Sequence, residues 1–109
     1  MIEVVYYRES NRVTIRGHAR SAEYGKDLIC SAVSTLALTL KANVKYLEKA
    51  GYVVKPVIRL ESGNAEISCI PSRPIFRASI RQIFMSVCVG FQMLGTEYPD
   101  YISYRVEGW

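Results

Sequence analysis

The chain has 109 residues, 50% hydrophobic and 22% charged, with a formal net charge of +4 at pH 7. That length suits one domain with one core, and the composition argues against a disordered or low-complexity chain. No apolar run approaches the roughly 18 residues of a membrane span, no secretory signal pattern opens the sequence, and three cysteines without paired spacing read as reduced thiols in a cytoplasm rather than a disulfide framework.

Residues 2–8 are β-rich and tyrosine-heavy and read as a first strand. Residues 12–18 alternate, with Val13 and Ile15 on one face and Thr14 and Arg16 on the other, and read as a second strand closed by His18. Ser10-Asn11 between them suits a hairpin turn. A polar run over residues 19–26 follows, with Gly17 and Gly25 near its ends as hinge positions. A long helix then starts near Asp27. Ile29, Val33, Leu36, Leu40, Val44 and Leu47 recur at helical spacing and give one apolar stripe. With Asp27 as N-cap, Cys30 falls at N3, its sulfur near free backbone amides. Gly51 stands where a left-handed residue ends the helix.

Residues 52–60 and 65–70 read as strands joined by Glu61-Ser62-Gly63-Asn64, a hairpin signal. Pro56 cannot donate a ladder hydrogen bond, so it marks an edge or a bulge. Ser72-Arg73-Pro74 starts a second helix, with Pro74 at N1. Phe76, Ile80, Ile83, Val87, Phe91 and Leu94 form its buried face, and Gly95 is read as its stop. Tyr98-Pro99-Asp100 turns the chain into a last strand over residues 101–106. The order ββαββαβ predicts an α+β fold, two helices packed on a mostly antiparallel sheet, as a single domain over residues 1–109.

The only histidine, His18, and one of the cysteines, Cys30, flank the polar loop. A thiolate is the reactive form of cysteine, and a helix N-terminus and an imidazolium both stabilise it. The pair therefore reads as a nucleophile and its base. Asp27 and Ser34 are the nearest candidates for a third, orienting member. Asp27 serves equally as a helix cap and Ser34 equally as a packing residue, so a dyad is the reading the residues carry. Cys69 and Cys88 lie within apolar strand and helix patterns and read as core. A zinc site from His18, Cys30, Cys69 and Cys88 lacks the short paired spacings of structural sites, and no metal or cofactor is expected. Arg8, Arg12, Arg16, Arg20 and Lys26 cluster with interleaved tyrosines, but no RNP-type strand or GXXG loop accompanies them.

Gly17-His18-Ala19, followed by Gly25-x-Asp27-x-x-Cys30-Ser31-Ala32-Val33-Ser34, resembles the signature of the bacterial ribosomal-processing cysteine protease family (Prp). The resemblance covers nearly the whole chain, including its length, its ββαββαβ order and Tyr98-Pro99 before the last strand. It implies a small cytoplasmic cysteine endopeptidase, homodimeric, that removes a short apolar and aromatic N-terminal extension from a large-subunit ribosomal protein. By motif, Cys30 is the nucleophile and His18 the base. Ser31 departs from the small residue, often alanine, common there. The expected partners are that ribosomal protein, a second copy of the chain and nearby ribosomal RNA, with no membrane. Surplus apolar residues (Phe84, Met85, Met93, Tyr101, Tyr104 and Trp109) put the dimer contact on the second helix or last strand. The loop over residues 19–26 is expected to be mobile and to close over a bound peptide. The alternative is a non-enzymatic ribosome-associated RNA-binding or assembly factor. The basic balance suits it, but it leaves the Gly-His and Asp-x-x-Cys arrangement without a purpose.

Overall fold

Alternation along the strands decides the sheet, and the helical stripes decide what covers it. The computed structural model of the chain describes residues 1–18 and 26–108, with Lys26 and Asp27 by backbone alone. The strands are β1 (Ile2–Tyr7), β2 (Arg12–Arg16), β3 (Val53–Glu61), β4 (Asn64–Pro71) and β5 (Ile102–Glu107). The helices are α1 (Lys26–Lys49) and α2 (Arg77–Glu97). The predicted ββαββαβ order and α+β class are as found. The sheet order is β3-β4-β2-β1-β5. Neighbours run antiparallel except β1 and β5, which are parallel. The loop predicted over residues 19–26 lies outside the described residues up to Gly25, the proposed hinge.

Period-2 alternation puts Ile2, Val4 and Tyr6 of β1 on the covered face, joined there by Val13 and Ile15 of β2 and Ile67 and Cys69 of β4. Onto this face α1 packs Ile29, Val33, Ala37, Leu40 and Val44, while Leu36 and Leu47 of the predicted stripe are half-buried. By length and composition, Leu28–Lys49 is long and apolar enough to cross a membrane, which a search for uninterrupted apolar runs missed. One stripe of it packs on the sheet, while Leu28, Leu38 and Tyr46 are exposed. Each fully buried Leu, Val or Phe contributes about 1.5–3 kcal/mol, so the contact between stripe and sheet is the main stabilising term.

The second helix departs from its predicted outline. Pro74–Phe76 form a 3₁₀ turn, and α2 begins only at Arg77. It buries Ile80, Phe84, Val87, Cys88, Phe91 and Leu94. Phe84 therefore belongs to the core, stacked on Tyr6 with ring centroids 6.3 Å apart, and is not a surface residue free for a dimer contact. Ile83 is only half-buried. Gly95 does not stop the helix, which runs on to Glu97. A Cβ on Gly95 would meet Tyr104 and Ile102 of β5 at ordinary contact distance, so neither packing nor backbone demands glycine there.

β3 is an edge strand, and its register slips between Val54 and Val57. Lys55 there takes φ +49. Pro56 thus marks both an edge and a bulge, as its missing N–H demands.

Candidate active site

β2 and β4 pair from Arg12 opposite Ser68 to Arg16 opposite Asn64. The pairing brings the residues just after β2 alongside the β3–β4 hairpin tip. Two further bonds hold this junction. The Arg16 guanidinium donates to the Asn64 side-chain oxygen, and the Gly17 N–H donates to the Gly63 carbonyl at 3.0 Å. A neutral hydrogen bond contributes about 0.5–1.5 kcal/mol and one to a charged group about 1.5–3. Gly17 itself takes φ +92, and a Cβ on it would collide with the Met1 carbonyl oxygen. Only glycine satisfies both demands.

His18 follows directly, two residues beyond the end of β2 rather than inside it. It is exposed and lines an open groove of about 410 Å³. Cys30, half-buried, lines the same groove from α1, and Ser34 lines it one helical turn further on. The opposite wall is the hairpin, from Leu60 through Ser62 and Gly63 to Ala65. Ile2, Ile15, Val33, Ala37 and Leu38 make the remainder largely apolar.

The start of α1 differs from the predicted one. Asp27 already lies inside the helix, which is described from Lys26 onward, so it is not the N-cap. Cys30 therefore lies deeper in the helix than N3, and its own N–H belongs to the i−4 ladder. The amides left free by the helix precede it. Because Cα–Cβ bonds tilt toward a helix N-terminus, the thiol still leans back toward that first turn.

The other two thiols are built differently. Cys69 and Cys88 are buried in the core, as predicted, and neither lines the groove. Burial pushes Cys69 up to about 11 and Cys88 up to about 12. Tyr104 donates a hydrogen bond to the Cys88 thiol, which offsets part of the burial effect there. Neither forms a thiolate at neutral pH. Of the three cysteines, Cys30 alone stands in the groove with the histidine.

The residues read from the sequence supplied one wall of this groove. The hairpin wall was read only as a turn, since nothing local says which strand β4 joins. Gly63 carried the one available signal, a glycine where the turn needs positive φ.

A comparison with curated proteins finds no match. Among solved structures, the chain shares its fold with a Streptococcus mutans protein at 24% identity and a TM-score of 0.64, covering 96% of this chain and 90% of that one. It is similar to the essential ribosomal processing protease Prp of Staphylococcus aureus in complex with a substrate peptide, at 20% identity, a TM-score of 0.67 and 97% of both chains. The same protease with a covalently linked product peptide aligns at 21% identity and a TM-score of 0.66, again over 97% of both chains. The sequence matches the family of the cysteine protease Prp over residues 1–103, and the chain belongs to that family.

Proposed function

We propose that the chain is a cysteine endopeptidase that removes a short N-terminal extension from a large-subunit ribosomal protein, with Cys30 and His18 as its dyad. The observation that carries this reading is the groove lined by both the only histidine and the only non-core cysteine, walled by Leu38, Leu60 and Val33. The similar S. aureus protease, which was solved with a substrate peptide, supports it.

The chemistry follows from those groups. His18 takes the thiol proton, and the Cys30 thiolate attacks the scissile carbonyl. The tetrahedral intermediate expels the amine, which leaves with the proton from His18. Water, deprotonated by the same imidazole, then hydrolyses the thioester and frees the thiol. Backbone amides at the N-terminal end of α1 are assigned as the oxyanion donors. Ser34, one turn beyond Cys30, is placed to touch the bound peptide or the imidazole. Apolar side chains of an extension fill the space between Leu38 and Leu60. No metal or cofactor has a part in these steps. On this reading the protein works in the cytoplasm beside ribosomal RNA. It acts as a homodimer through the outer face of α2, where Met85, Val89 and Met93 are exposed with no charged residue between Arg81 and Glu97.

The RNA-binding alternative rests on basic residues, and several arginines of the sheet have acidic or polar partners. Arg12 and Arg59 both bind Glu66, Arg16 binds Asn64, and Arg105 binds Glu107. Of the basic cluster read from the sequence, Arg12 and Arg16 are thus tied to neighbours on β4.

The test is cleavage of a synthetic peptide spanning the N-terminus of the host's large-subunit ribosomal protein. Cutting at one bond by the native chain, with none by Cys30→Ala, is expected. Equal cutting by both would end the proposal. Sedimentation showing only monomer at micromolar concentration would end the dimer part.

A further inference from the structure

Gly63 lies in the two-residue turn between β3 and β4 with φ +72. The His18 imidazole is packed directly on it. The three atoms nearest to a Cβ built on Gly63 all belong to that ring. Cε1 would be 2.8 Å away, Cδ2 3.2 Å, and Nε2 nearer than either. Real Cβ atoms do not stand that close to a neighbour, so any side chain at this position displaces the imidazole.

The packing is held by its surroundings. Gly17, immediately before His18, donates its N–H to the carbonyl of Gly63 itself, and Arg16 holds Asn64, immediately after Gly63. The backbones on either side thus share one short hydrogen-bonded frame, which keeps His18 beside the hairpin tip. Gly51 gives the contrast. It also takes positive φ, at +84, yet a Cβ there meets nothing within 4 Å. Gly51 answers a backbone demand alone, whereas Gly63 answers a backbone demand and a packing one.

We propose that Gly63 is a positioning residue of the dyad. By lacking a Cβ it sets where the His18 imidazole lies, and so whether that ring reaches the thiol proton of Cys30. The proposal rests on the protease reading above and adds a residue to it on the far wall of the groove.

Gly63→Asn separates the two demands, because asparagine tolerates left-handed backbone yet carries a Cβ. Gly51→Asn is the matched control. The chain has a single histidine, so the imidazole C–H signals in a proton NMR spectrum belong to His18. Gly63→Asn is expected to shift those signals and to lower kcat roughly 10–100-fold, the scale of a small misplacement of a catalytic group, with KM for the peptide nearly unchanged. Gly51→Asn is expected to do neither. Unmoved imidazole signals in Gly63→Asn, or moved signals with full kcat, would overturn the proposal. A further measurement needs no variant. In the native protein a nuclear Overhauser effect must connect the Gly63 α-protons to the His18 ring, and its absence overturns the proposal even if Gly63→Asn does not fold. A native protein that shows the contact but cleaves nothing overturns the protease reading instead, and with it the catalytic consequence of the packing.

Discussion

The Leu36 side chain of α1 occupies the space that a Cβ would need on Gly90 of α2. Such an atom would lie 2.6 Å from Leu36 Cδ2 and 3.0 Å from Cδ1. Glycine within a helix costs about 1 kcal/mol against alanine. Here that cost is offset by the close approach of the two helices. Crowding a packed contact costs about 1–3 kcal/mol, so Gly90→Ala is expected to destabilise the chain by about 1 kcal/mol on balance. With Leu36→Ala in the background, the same change is expected to stabilise it by a similar amount. Urea denaturation of the four proteins closes the cycle. If the sign does not reverse, Leu36 is not the reason for the glycine.

Cys30→Ala and Cys30→Ser should leave the fold intact and abolish cleavage. Cys69→Ala and Cys88→Ala should instead lower stability by about 1–2 kcal/mol and keep most activity. Iodoacetamide at neutral pH is expected to label Cys30 well before the buried pair, as mass spectrometry of tryptic peptides will show. Prior labelling of Cys69 or Cys88 would contradict their place in the core.

His18 is exposed, so His18→Ala should not unfold the chain. Loss of a general base should slow acylation by roughly 10²–10⁴-fold. Cleavage at the native rate by this variant would remove His18 from the dyad, whatever Cys30 does.

Burial raises Cys69 to about 11 and Cys88 to about 12 in the folded chain, against about 8.5 for a free thiol. Above that lower value the folded state holds more protons than the unfolded one, so stability falls with rising pH. The contribution is whole below about pH 8.5 and is lost as the pH climbs toward 11 and 12. The urea midpoint should therefore drop steadily above pH 9. Cys88→Ala should start lower and decline less steeply. Parallel declines for the two proteins would show that Cys88 has no part in the alkaline limb.

Much of the fold was legible because its signals are local. Val13 and Ile15 alternate with Thr14 and Arg16, and the α1 stripe recurs at helical spacing. Thr14 shows the limit of that pattern. It faces away from the helices yet is buried, with Val5 and Glu66 opposite it on the neighbouring strands. Asp27 was read as a cap because acidic residues are favoured both at the cap and within the first turn, and residue type cannot separate the two. Gly95 resembles a helix stop by residue type, yet α2 runs on past it to Glu97. His18 and Cys30 were legible by residue type and motif. The hairpin at the other side of the groove was not, because its place depends on β4 joining β2, a pairing between residues about fifty positions apart in the chain.

The slip in β3 at Lys55 and Pro56 has a bearing on solubility. An open sheet offers its free edges to any extended chain that meets it. On β3, a strand arriving from outside would meet a proline without an N–H, a charged side chain at Lys55 and a break in register. Such features are known to discourage one sheet from extending another. β5, at the other edge, carries Arg105 and Glu107. Both free edges of the sheet are thus poor templates for β-aggregation.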